Sequence, residues 1–123
     1  MSFGTVVNCM DGRVQGCVSD YMKSVYKVEY VDTITEPGPV KLIAEDSESD
    51  KVASILEKIG ISVNCHKSEV IAVAAHVDCA GNPVDNDVQK GQLEKSVEFI
   101  KSKFSQCEVV GLWIGDDWKA EKI

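Results

Sequence analysis

Two short segments carry the side chains most able to do chemistry: Cys9-Met10-Asp11-Gly12-Arg13 and, further along, His76-Val77-Asp78-Cys79. Between them they offer two thiolates, one imidazole and one carboxylate. Zinc favours thiolate and imidazole donors in a tetrahedral array, and three protein ligands with one open position make a site of catalytic type. Cys9, His76 and Cys79 supply the three, and the fourth position suits either Asp11 or a water. Two thiolates and a neutral imidazole also balance the charge of Zn2+. His76 and Cys79 can converge from one loop or first helical turn, but Cys9 must arrive from a different segment.

Asp11 and Arg13 stand two residues apart, as do Cys9 and Asp11, so an extended backbone turns all three side chains to one side. Arginine binds a carboxylate in a forked, often bidentate pair. Paired with Arg13, Asp11 stays off the metal and can accept a hydrogen bond from metal-bound water. Released, it can swing onto the metal and close the site. A plain surface ion pair is the alternative for these two residues taken alone. Cys9 by itself also suits a nucleophile in an anion-binding loop, although the interval to Arg13 is short for a loop that wraps a phosphate. A thiol-redox pair is disfavoured, since no Cys-x-x-Cys occurs.

The remaining polar and sulfur residues are expected to be structural. His66, within Asn64-Cys65-His66-Lys67, is expected to be exposed. Asp78 reads as a turn or cap residue, and Asp116-Asp117 as a solvated turn. Cys17, Cys65 and Cys107 are expected to be small buried hydrophobes.

The elements that must position the two segments alternate along the chain. Thr5 to Cys9 reads as a strand, and Val14, Val18, Tyr21, Met22 and Val25 recur at helical spacing. Val28 to Ile34 alternates and is β-branched, hence a second strand, which Glu36-Pro37-Gly38-Pro39 ends. Helix is expected from about Val40 to Ile59. The acidic stretch Glu45 to Asp50 interrupts it, Ser49 or Asp50 caps the helix as it resumes, and Gly60 is the stop. Glu69 to Ala75 is nearly all apolar, as a strand buried on both faces of a parallel sheet must be. Asp85 or Asn86 caps a last helix whose inner stripe is Val88, Leu93, Val97, Ile100 and Phe104. Cys107 to Ile114 is the fourth strand, followed after Trp118 by a short polar tail.

This β-α-β-α-β-α-β order predicts an α/β fold, a three-layer α/β/α sandwich around a four-stranded parallel sheet with right-handed crossovers. The order 2-1-3-4 puts strands one and three side by side where the winding reverses. Ligands of such sheets bind at that switch point, beyond the carboxyl ends of the strands. Cys9 ends strand one and His76 follows strand three, so topology and motifs select the same place.

Composition limits the partners. The 123 residues fit one domain spanning 1–123, long enough for a core without disulfide staples. A net charge of −7 and a pI near 4.7 argue against nucleic acid or an anionic membrane as partner. The Val70–Ala75 run falls far short of the ~20 apolar residues that span a bilayer. Met1 to Thr5 has no basic n-region of a signal peptide. With an odd count of five cysteines, reduced thiols in a cytoplasmic protein are expected. Strands two and four would be the sheet edges, and apolar Leu112, Trp113 and Ile114 on the latter predict a homodimer or higher homo-oligomer.

The two motifs resemble those of the β-class carbonic anhydrases, which carry Cys-x-Asp-x-Arg after their first strand and His-x-x-Cys after their third. Gly81 is similar to the glycine that follows the second cysteine in that family, with Ala80 intervening. The resemblance implies zinc held by Cys9, His76 and Cys79, with the Asp11–Arg13 dyad beside it. It also implies a zinc-bound hydroxide that attacks carbon dioxide to give bicarbonate, the metal lowering the pKa of its water from ~15.7 toward ~7. Asp11 would orient the hydroxide and Arg13 would orient Asp11. Against that family the chain reads as a compact, divergent member. With Cys9 so near the start it is expected to lack the N-terminal helical arm that embraces a partner subunit, and Thr35-Glu36-Pro37-Gly38-Pro39 replaces the usual Arg-Asn-Ala-Gly-Asn. Two alternatives keep the metal: action on another small electrophile such as carbonyl sulfide or carbon disulfide, and a non-catalytic zinc-stabilised module with Asp11 on the metal.

Overall fold

A computed structural model describes residues 2–123; Met1, the first residue of the segment inspected for a signal peptide, lies outside them. The elements run β1 (Phe3–Cys9), a 3-10 turn (Gly12–Val14), α1 (Gln15–Tyr26), β2 (Tyr30–Glu36), α2 (Pro39–Glu45), α3 (Asp50–Cys65), β3 (Val70–His76), α4 (Asn86–Lys103), β4 (Glu108–Ile114) and β5 (Ala120–Lys122). The sheet order is β2-β1-β3-β4-β5. The first four strands are parallel, as expected, and β5 pairs antiparallel with β4.

The sheet therefore has five strands rather than the expected four. β5 is three residues long, Ala120-Glu121-Lys122, too short to show an alternating pattern, and it forms because the chain hairpins back on β4. Leu112, Trp113 and Ile114 lie opposite Lys122, Glu121 and Ala120. The β4 edge expected to be open is thus paired, the side chains of its apolar stretch are buried in the clusters on the two faces, and the outer strands are β2 and β5.

Connectivity decides how the layers fill. The chain steps from β1 outward to β2, then back across β1 to β3 and on to β4. Right-handed crossovers in opposite directions put their helices on opposite faces. Val14, Val18 and Met22, leading into and along α1, pack with Val6, Ala72, Ala74, Val110, Leu112 and Ile114 on one face. On the other face Val40 and Ile43 of α2, Val52, Ile55 and Ile59 of α3, and Leu93 and Ile100 of α4 pack with Val7, Ile71 and Val73. Every residue of β3 is buried, because the strand has a neighbour on each side and a helical layer on each face.

Helix ends follow local chemistry with one exception. Ser49 caps α3 by accepting from Val52 N, and Asp85 caps α4 by accepting from Val88 N. Gly60 does not stop α3, which continues to Cys65 because Ser62 and Val63 extend its buried stripe. The left-handed residue that ends it is Lys67, at φ 60°, and Ser68 N closes back onto Ser62 O. Val25 and Val88, assigned to inner stripes, are exposed, as is Cys65. Cys107 is buried and Cys17 only partly so. Among the described residues no helix is long and apolar enough to cross a membrane.

Candidate metal centre

Ladder pairing of β1 with β3 ends at Val7↔Val73, short of Cys9 and His76. Beyond it the two strand ends part at the point where the winding reverses, and the crevice so formed holds both motifs. Cys9 is the last residue of β1, His76 the last of β3, and Cys79 follows in the loop. One ring nitrogen of His76 and the sulfurs of Cys9 and Cys79 all lie within 4.8 Å of one another. The two sulfurs are 3.8 Å apart. All three residues are buried.

One hydrogen bond orients the imidazole and another anchors its backbone. His76 Nδ1 is 2.7 Å from Val77 O, a carbonyl that can only accept, so the proton sits on Nδ1 and the Nε2 lone pair is left over. Nε2 is buried and has no hydrogen-bond partner among the described residues. His76 N donates to Gln89 Oε1 at 3.2 Å, which ties the strand end to α4. A buried imidazole nitrogen without a partner is costly, and a metal ion between it and two thiols removes that cost. The donor set of two sulfurs and one nitrogen fits zinc.

Burial pushes the Cys79 thiol up, and the charge of neighbouring Cys9 adds to this. The backbone N–H groups of Gly81 and Asn82 pull the other way. Without a cation the Cys79 thiol therefore resists ionisation.

Asp11 is paired with Arg13. Asp11 Oδ1 accepts from Arg13 N at 2.9 Å and from Nε at 3.0 Å, while Oδ2 accepts from Nη2 at 2.7 Å. The side-chain bonds and then the backbone bond to Arg13 hold the carboxyl down at about 2. Asp11 also caps the 3-10 turn that starts at Gly12, and Gln15 Nε2 clasps Cys9 O and Asp11 O at 2.7 and 2.9 Å. The loop after β1 is thus a closed hydrogen-bonded unit.

Three residues at this centre were not singled out by the sequence for it. Asp78, read as a turn residue, does adopt a left-handed turn at φ 56° but also binds Arg13. Trp118 lies against the same arginine, and its signal was an isolated aromatic in a polar turn. Gln89 is a fully buried amide on an exposed-looking helical stretch. His66 stays outside the centre: it is exposed, and its Nδ1 lies 2.6 Å from Asp32 Oδ2. Asp117 accepts from Lys119 N within the β4–β5 turn.

A family model described as "Putative carbonic anhydrase" matches residues 1–123 of the chain. No curated protein matches it. Among solved structures, a carbonic anhydrase from Streptococcus mutans is similar with a TM-score of 0.65 at 14% identity, over 97% of this chain and 80% of that one. A carbonic anhydrase from Glaciozyma antarctica gives 0.60 at 16% identity, over 96% and 79%. The beta-carbonic anhydrase isoform I of Trichomonas vaginalis gives 0.51 at 20% identity, over 98% and 81%. At these identities the likeness is one of fold.

Proposed function

The chain belongs to the carbonic anhydrase family whose model spans it, and on that premise we propose that it catalyses the reversible hydration of carbon dioxide to bicarbonate. Cys9, His76 and Cys79 would hold zinc, and Asp11 with Arg13 would serve the reaction beside it. The observation that carries this assignment is the buried, partnerless Nε2 of His76, on a ring with a nitrogen within 4.8 Å of two cysteine sulfurs, with a carboxylate held close by but paired elsewhere.

When bound, zinc supplies a Lewis acid that makes water nucleophilic near neutral pH. The chain's own residues do the rest. Val77 O and Gln89 fix the His76 ring and strand end so that Nε2 is presented as a donor. Asp11, ionised at neutral pH, can only accept hydrogen bonds. A water or hydroxide beside it must point its proton at the carboxylate and turn a lone pair toward the substrate. Arg13 holds Asp11 in that orientation through the forked pair. Bicarbonate leaves as an anion.

We further assign the protein to a reducing, cytoplasmic setting, since the two ligand thiols must stay reduced, and to a homo-oligomer. With β4 covered by β5, the support for association lies at β2, whose seven residues pair on one side only.

Stopped-flow hydration of carbon dioxide by zinc-loaded protein tests the assignment. Acceleration above buffer that disappears in Cys9→Ser is expected. Full zinc occupancy with a buffer-level rate would reject it, and turnover of carbonyl sulfide alone would move the activity to that electrophile.

A further inference from the structure

Arg13 is held by more than the dyad. Nε and Nη2 donate to Asp11, Nη1 donates to Asp78 Oδ2 at 3.2 Å, and Nη2 also reaches Asp78 O at 3.2 Å. All three guanidinium nitrogens are therefore engaged. The Arg13 Cζ lies over the Trp118 ring, 4.4 Å from the centroid, and that ring in turn lies 6.4 Å from the His76 ring.

Both extra supports come from residues in the left-handed region, Asp78 at φ 56° and Trp118 at φ 55°. Such values are uncommon outside glycine, and for a bulky side chain they mark a conformation that the surroundings impose. Among the described residues the other two non-glycines with positive φ are Lys27 and Lys67, and both sit at helix C-termini. There the conformation is ordinary. Asp78 and Trp118 end no helix, and the two converge on one guanidinium from different loops. Trp118 is fixed by the hairpin: its N donates to Gly115 O at 3.0 Å, and two residues on Ala120 pairs with Ile114.

We propose that Trp118 and Asp78 are positioning residues that cage Arg13, and so keep Asp11 paired with Arg13 and off the metal. The proposal rests on the metal assignment above. An exposed arginine–carboxylate pair is worth little by itself, because both side chains have many other rotamers. A carboxylate two residues from Cys9 is, in contrast, an oxygen donor within easy reach of a cation held by that cysteine. Arg13 and the metal compete for it, and each contact that holds Arg13 in place biases the competition toward the open site. The strand β5 thereby has a task at the metal centre that its own sequence does not announce.

The test uses cobalt(II)-substituted protein at one neutral pH, with water-proton relaxation and visible ligand-field bands as readouts. Wild-type protein is expected to show an exchangeable metal-bound water. Trp118→Leu should raise the ratio of closed to open sites by about threefold or more, the scale of one cation–π contact, and relaxivity should fall with it. Trp118→Phe, which keeps an aromatic face, should restore the water. Asp78→Gly suits the backbone at that position and leaves the packed ring untouched. It should shift the ratio in the same direction, and it carries the test alone if circular dichroism shows Trp118→Leu to be unfolded. Adding Asp11→Ala to either variant should bring the water back, since no carboxylate remains to swing. Wild-type relaxivity in both variants would overturn the proposal, as would a loss of water that persists without Asp11. A wild-type protein that holds cobalt but has no exchangeable water would overturn the proposal and leave the metal assignment standing, whereas one that binds no cobalt would overturn the metal assignment itself, which separates the two failures.

Discussion

Arg13 donates to Asp11 through its backbone N–H and through its guanidinium, and these bonds decide what the carboxylate does as pH changes. They favour the ionised form, so the Asp11 pKa lies at about 2 against an ordinary 3.8. A lowered carboxyl pKa contributes stability that is complete above the unfolded value and is lost as pH falls through the folded one. The loop after β1 should therefore keep its geometry through weak acid and loosen only as pH drops from about 3.8 toward about 2. In metal-free Arg13→Ala the Asp11 titration, followed by carbon NMR of the side-chain carboxyl, should move up to the ordinary carboxylate range; no movement would show that Arg13 does not set it. At this scale the cluster of Cys9, His76 and Cys79 was legible in the sequence, because the three stand in short motifs after apolar runs. Asp11 and Arg13 were legible as a pair from their spacing. Asp78 and Trp118 were not, because what aims them is a positive φ and a hairpin, and neither leaves a pattern in residue types.

At the scale of elements, the crevice depends on how tightly two loops cross. The loop after β2 and the loop after β3 meet backbone to backbone at Gly38 and Gly81. A Cβ on Gly81 would lie 2.7 Å from Pro37 C and 2.9 Å from Gly38 N, and one on Gly38 would lie 2.9 Å from Gly81 C. Gly38 also sits at φ +55°, capping α2. The crossing anchors the segment that carries Cys79 and the N–H groups of Gly81 and Asn82. Gly81→Ala forces backbone to give way, at a cost of about 1–3 kcal/mol. A drop of roughly 5 °C or more in thermal midpoint is expected, together with weaker zinc binding; an unchanged midpoint would mean that the loops part without penalty. The strand order and the switch point followed from the alternation of elements and the handedness of crossovers. β5 and the passage of α3 through Gly60 did not. A three-residue strand is defined by its partner, and a helical glycine is tolerated where the buried stripe continues past it.

For the whole molecule, three helices on one face and one on the other follow from the chain's path, and the carboxyl ends of β1 and β3 open on one side of that sandwich. The pairing of β5 along the β4 edge moves the expected association surface from β4 to β2. Half-exposed Tyr30 stands at the start of that edge. Sedimentation equilibrium at micromolar concentration should report a dimer or larger, and a monomer throughout would rule out the homo-oligomer. The family and fold were legible from two motifs in the right places on a parallel sheet. The edge was not, since which strand ends up outermost depended on a hairpin too short to read.

Zinc-dependent catalysis at Cys9, His76 and Cys79 is the claim on which the rest depends. Metal-free protein titrated with zinc, with carbon dioxide hydration followed by stopped-flow at each addition, should gain rate linearly up to one equivalent and then level off. Cys9→Ser should neither hold that equivalent nor gain rate. One tightly held equivalent of zinc with hydration at the buffer rate, or the same rate in Cys9→Ser, would contradict it.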